Sequence, residues 1–163
     1  MEVSQMFRII LSDDFLELPT NSSDAFCTTF YVQIDDICFP YDQWTDFTKS
    51  ILSTWTENLI RNHRGYKSRK YSLYFMDGPF RIDVIQNGEK LLLQGINFGK
   101  QPQLEFKVSC SYEELLQELA KAFQHLEKIV FLNDAIAKKD SYLYDIQHYK
   151  DLICKELSDV EGT

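Results

Sequence analysis

Between Tyr71 and Val108 the apolar residues alternate with polar ones in short runs, Tyr71, Leu73 and Phe75, then Phe80, Ile82 and Val84, with Asp77-Gly78 and Asn87-Gly88 between and after them. A period of two belongs to strands, and Asp-Gly or Asn-Gly supplies the positive-φ residues that tight hairpin turns need. This stretch is therefore an antiparallel meander. Leu91 to Ile96 supplies its third strand, and Leu104, Phe106 and Val108 a fourth after a loop around Asn97 to Pro102. Pro79 has no N–H to donate and sits at the start of its strand.

Two more strands precede the meander. Phe7 to Leu11 is the first, followed by a polar stretch from Ser12 to Asp24 that reads as a loop, with a short extra strand near Phe15 to Leu18 as the alternative. From Phe26 to Ile34 one apolar face (Phe26, Phe30, Val32, Ile34) alternates with Cys27, Thr29, Tyr31 and Gln33, the pattern of a half-buried strand. Asp35-Asp36 turns the chain into Ile37 to Phe39, which sets Cys38 opposite Gln33 and not Cys27, and Pro40 ends the pairing.

Asp42 caps an amphipathic helix expected to run to about Asn62, with Trp44, Phe47, Ile51, Trp55 and Leu59 on one stripe. Trp44 and Trp55, close to three turns apart, would then point the same way into the core. Gly65 stops the helix. Ser111 with Glu114 forms a capping box opening a helix whose stripe is Leu115, Leu119, Ala122, Leu126 and Ile129. A last helix from about Ser141 to Leu157 aligns Tyr142, Ile146, Tyr149, Ile153 and Leu157, with Glu161-Gly162-Thr163 fraying. The order predicts an α+β fold: an antiparallel sheet of about six to seven strands, one long helix inserted after the first strands, and two C-terminal helices.

The 163 residues suit one domain, residues 1–163, that needs no disulfide or metal staple. A net charge of -8 disfavours generic phosphate-backbone binding. The N-terminus lacks the basic start and apolar length of a secretory signal, and no run approaches a membrane span, so a soluble cytoplasmic protein is expected. Cys27, Cys38, Cys110 and Cys154 form no CxxC pair and are read as free thiols. His63, His125 and His148 share no metal-binding spacing and are read as surface residues. No GxSxG elbow or phosphate loop occurs, and Asp35 with Asp36 and Asp42 with Asp46 are accounted for by a turn and a helix start. The sequence points to no enzyme, no metal and no cofactor.

Charge is unevenly spread. Residues 1–60 carry 2 basic and 10 acidic groups, residues 61–107 carry 9 and 4, and residues 108–163 carry 6 and 11. Asp13, Asp14, Glu17, Asp24, Asp35 and Asp36, on a loop and a hairpin turn, are the candidate binding residues for a basic protein partner, steered at long range. Solubility is the plainer use of the same charges. The basic run at Arg61, Arg64, Lys67, Arg69 and Lys70 leaves a nucleic-acid adaptor as a weaker reading. A small-ligand pocket between sheet and helices, or an unrecognised enzyme, is the alternative to a binding protein.

Phe39-Pro40 followed by Trp44, Asp46-Phe47, Ile51-Leu52 and Trp55, and then Phe75-Met76-Asp77-Gly78-Pro79-Phe80, resembles small bacterial immunity proteins of polymorphic-toxin systems. The resemblance spans about residues 37–85. It implies a non-enzymatic inhibitor that binds and neutralises a cognate toxin, and it assigns no catalytic residue.

Overall fold

A computed structural model describes residues 6–17, 26–65, 69–133 and 140–162. Among the described residues, eight strands form two four-stranded antiparallel sheets, accompanied by three helices. The first sheet contains β1 (Phe7–Glu17), β2 (Cys27–Ile34), β3 (Ile37–Phe39) and the two-residue β4 (Thr45–Asp46), with β2 in the middle. Helix α1 (Thr48–Gly65) leads to the second sheet, β5 (Lys70–Tyr74), β6 (Phe80–Asn87), β7 (Lys90–Asn97) and β8 (Gln103–Ser111), in that spatial order. Helices α2 (Tyr112–Phe131) and α3 (Asp140–Glu161) follow.

The meander is as its alternation predicts: Gly78 (φ 80) and Gly88 (φ 63) take the left-handed conformation beside their turns. The β2–β3 hairpin has the expected register, Ile34 opposite Ile37 and Gln33 opposite Cys38, with Asp35 at φ 53. Ser111 accepts from the Glu114 amide at 3.0 Å while the Glu114 carboxylate takes the Ser111 amide at 3.1 Å, so the capping box opens α2.

Four expectations need correction. The strands do not form one sheet of six to seven. The last strand of the second sheet meets the first through side chains, with the Phe39 and Phe106 rings 5.2 Å apart, and no ladder joins β3 to β8. The loop does not begin at Ser12: β1 continues to Glu17 across a register slip between Ser12 and Leu16, and the pairing of Leu16 and Glu17 with β2 agrees with the alternative of an extra strand near Phe15 to Leu18. Helix α1 starts at Thr48 and not Asp42, since Gln43 sits at φ 59, which no helix allows, and Thr45 and Asp46 pair with β2. Trp44 therefore lies ahead of the helix and off its stripe. Finally, α3 runs on to Glu161 rather than fraying there.

One cluster of buried side chains draws on both sheets and all three helices. Phe30 packs against Trp55 at 5.5 Å and Phe75 at 5.7 Å, and Phe39 against Phe75 and Phe80 at 5.6 and 5.8 Å. Open strand edges carry unmet backbone groups, and side chains from the helices meet several of them. Glu118 of α2 accepts from the Ile9 amide at 2.9 Å; Trp55 and Asn58 of α1 donate to the Tyr74 and Ser72 carbonyls at 2.8 and 2.9 Å.

Candidate interaction surface

Along β1 and β2, Phe7, Ile9 and Leu11 face the core opposite Ile34, Val32 and Phe30. The residues between them, Arg8, Ile10 and Ser12 opposite Gln33, Tyr31 and Thr29, alternate to the other face of the first sheet, where Tyr31 and Thr29 are themselves buried. Its surroundings are acidic. Asp35 and Asp36 stand exposed at the hairpin end, and Asp13, Asp14 and Glu17 are exposed toward the other end of β1. Five residue steps from Ile34 to Thr29 separate these groups by about 17 Å along the strand. The fold thus splits the predicted acidic set into two clusters flanking one face and does not merge it; Asp24 lies outside the described residues.

None of these five carboxylates forms an ion pair with a described residue. Some acids elsewhere are neutralised: Glu156 by Arg64, Asp83 by Arg81 at 2.9 Å, Asp145 by Lys49 at 2.8 Å and Glu127 by Lys150 at 3.2 Å. The negative field of these five groups on the first sheet is therefore left standing, as is that of other exposed acids such as Asp42, Asp77, Glu89 and Glu105.

Midway along this sheet the segment between β3 and β4 projects Tyr41, Asp42 and Gln43, all exposed. Asp42 lies near enough to Tyr31 that, after burial, it is the next cause raising that phenol's pKa. Asp46, buried in β4, accepts from the Phe47 amide at 2.8 Å, from the Trp44 indole at 3.1 Å and from the Asp77 amide at 3.1 Å. Segments 39–47 and 75–80 thus meet at one carboxylate. Burial nevertheless raises the Asp46 pKa, outweighing the hydrogen bonds that lower it. Its oxygens are occupied by N–H donors, so Asp46 is a clamp between the sheets and not a paired acid–base group with Asp42.

The other candidates are drawn into the structure. His63 is half-buried and stacks on Tyr112 with ring centroids 3.6 Å apart, against the expectation of a surface residue, whereas His125 and His148 are exposed. In the basic run, Arg64 binds the buried Glu156 and Lys70 lies 3.8 Å from Asp83, so part of that charge is spent inside the fold; Lys67 is outside the described residues. The cysteines are free thiols, with burial pushing Cys27 up to about 11 and Cys110 up to about 12. Among the described residues no three His, Cys, Asp or Glu side chains gather to hold a metal ion. A groove of about 100 Å³ between the start of β1 and α2 is lined by Met6, Phe7, Cys110, Glu114, Glu118 and Lys121. It is small beside ordinary ligand sites of roughly 300–1,000 Å³.

Sequence reasoning gives Tyr41 no role and reads Asp42 as a helix cap, whereas both stand exposed in the segment between β3 and β4. Pro40 followed by a Tyr-Asp-Gln stretch is compatible with a turn, and that was the available signal.

The chain matches no family model, no curated protein and no solved structure. Among the described residues no helix is long and apolar enough to cross a membrane.

Proposed function

We infer that this chain is a non-enzymatic interaction protein of the immunity type, which binds and neutralises a cognate toxin in the cytoplasm through its acidic first sheet. One observation carries the reading: Asp13, Asp14, Glu17, Asp35 and Asp36 are exposed in two clusters along the first sheet, without an ion-pair partner among the described residues. Unpaired surface charge costs nothing in burial and accelerates encounter with a basic partner; it also makes that encounter salt-dependent. The resemblance at residues 37–85 supplies the toxin as the partner class.

The test is co-expression with the toxin encoded by the adjacent gene. Protection of the host and a co-purifying complex are expected. Reversal of both clusters, Asp13→Lys with Asp14→Lys and Asp35→Lys with Asp36→Lys, should slow association and flatten its salt dependence. No complex and no protection with the wild-type chain would sink the reading.

A further inference from the structure

A ladder of rings climbs out of the core beside the Asp77-Gly78 turn. Phe80 is buried and stands edge-on to Phe39; Trp44 lies 5.3 Å from Phe80, and Tyr41 lies 5.9 Å from Trp44 and 5.7 Å from Phe80. Exposure rises along it, from 5% at Phe80 to 58% at Tyr41. The turn lies against the indole, since a methyl group on Gly78 would sit 3.3 Å from the Trp44 ring.

This platform is held rigidly. The Trp44 amide donates to the Tyr41 carbonyl at 3.2 Å, the Trp44 carbonyl accepts from Phe30 at 2.7 Å, and the indole N–H is committed to Asp46. Gln43 holds the left-handed conformation at φ 59, and its amide donates to Asp42 at 3.1 Å and to the Tyr31 hydroxyl at 3.4 Å. A non-glycine residue is strained in that conformation and persists there only where surrounding contacts impose it. Two exposed carboxylates flank the rings, Asp42 and Asp77, neither in an ion pair with a described residue. Met76, 58% exposed, adjoins them.

Ring faces bordered by unpaired carboxylates suit a flat, delocalised cation. A guanidinium stacks on aromatic rings while its N–H fork meets a carboxylate, and its weak hydration makes the transfer from water easier than for an ammonium. Phosphate groups are repelled by the same acids. We propose that Tyr41 and Trp44, with Asp42 and Asp77, form a docking ledge for an arginine side chain of a basic protein partner.

The proposal rests on the reading of the chain as an interaction protein and names where that partner anchors. The flanking acidic clusters steer, and the ledge holds. Aromatic anchors in a preorganised setting are where binding energy concentrates, because little side-chain freedom is lost on docking.

Two measurements test it. In the first, amide NMR spectra of the full chain are recorded with the peptide acetyl-Gly-Arg-Arg-Gly-amide, with its citrulline counterpart, and with cellotetraose. Arginine-dependent shifts are expected at Tyr41, Asp42, the Trp44 indole and Gly78, at least about tenfold weaker for citrulline and about tenfold weaker in Tyr41→Ala. Shifts confined to Asp13–Glu17 and Asp35–Asp36, equal binding of citrulline, or tighter binding of cellotetraose would overturn the ledge. In the second, Tyr41→Ala and Asp42→Asn, each with an unchanged urea midpoint, are measured against the adjacent-gene toxin. Loss of affinity of about tenfold or more supports the ledge. A complex that both variants leave intact removes the ledge and keeps the interaction reading. Arginine shifts at the ledge with no toxin complex keep the ledge and remove the toxin.

Discussion

The Tyr112 hydroxyl donates to the buried Glu156 carboxylate at 2.9 Å, joining the first residue of α2 to the last turns of α3. Arg64, near the end of α1, closes on the other carboxylate oxygen through Nε at 3.0 Å and a second, closer N–H. One carboxylate thus ties together the ends of three helices. Burial, and then Glu156 itself, push the Tyr112 ionisation well above its ordinary range, so the phenol stays a donor at physiological pH.

Removing either partner should be costly. Tyr112→Phe deletes a hydrogen bond to a charged acceptor and is expected to lower stability by about 1.5–3 kcal/mol. Arg64→Ala leaves the buried carboxylate with only the phenol and should cost about 3 kcal/mol. Urea unfolding of both variants measures this. Losses well under half of these would mean that the network is not a significant support of the helix ends.

His63 stacks against the same phenol, and its pKa is lowered, chiefly by burial, with Arg64 adding to the shift and Glu156 opposing it. A folded-state pKa below the unfolded value means that the unfolded chain binds the extra proton. The stability His63 contributes is therefore present above its ordinary 6.5 and is lost as pH falls through that value toward the folded pKa. His63→Phe, which keeps the stacking, should unfold in urea with a weaker pH dependence between 7.5 and 5.5. An NMR titration of the wild-type ring should give a midpoint below 6.5; a midpoint above it contradicts the assignment.

Gly95 faces the core opposite Phe106 in the β7–β8 ladder, and the phenyl ring lies across it. A Cβ there would fall 2.1 Å from Phe106 Cε2 and 2.2 Å from Cδ2. The ring is boxed by Phe39 at 5.2 Å and Phe7 at 6.5 Å, so it has little room to yield. Gly95→Ala is expected to cost about 1–3 kcal/mol by overpacking. Combined with Phe106→Leu, the two losses should sum to less than their separate values, because the smaller side chain relieves the clash. Additive losses would place the strain elsewhere.

The thiols should separate by reactivity. Cys154 is exposed, whereas burial pushes Cys27 up to about 11 and Cys110 up to about 12, so both hold very little thiolate near neutral pH. With iodoacetamide at pH 8, followed by peptide mass spectrometry, Cys154 is alkylated first and Cys110 last. Early labelling of Cys110 in the folded chain would contradict its buried place in β8.

Alternation and turn chemistry made most of the strands legible. Asp77-Gly78, Asn87-Gly88 and Asp35-Asp36 each turn the chain where they stand, and Ser111 with Glu114 caps its helix, because these devices act within four residues. The region from Asp42 to Phe47 was misread for the same reason. Trp44, Phe47 and Ile51 fit a helical stripe, but Gln43 at φ 59 and the pairing of Thr45 with Thr29 depend on β2, which local spacing does not contain.

The amino-acid sequence by itself determined the antiparallel meander, the apolar faces of the three helices and the concentration of negative charge in the first third. Tertiary packing decided which carboxylates became structural and which stayed free: Asp46 and Glu156 are buried among N–H and O–H donors, while Asp35 and Asp42 remain in solvent. It also decided that the strands divide into two sheets meeting through Phe39 and Phe106. Burial and long-range pairing depend on partners tens of residues away, and a short-range pattern cannot encode them.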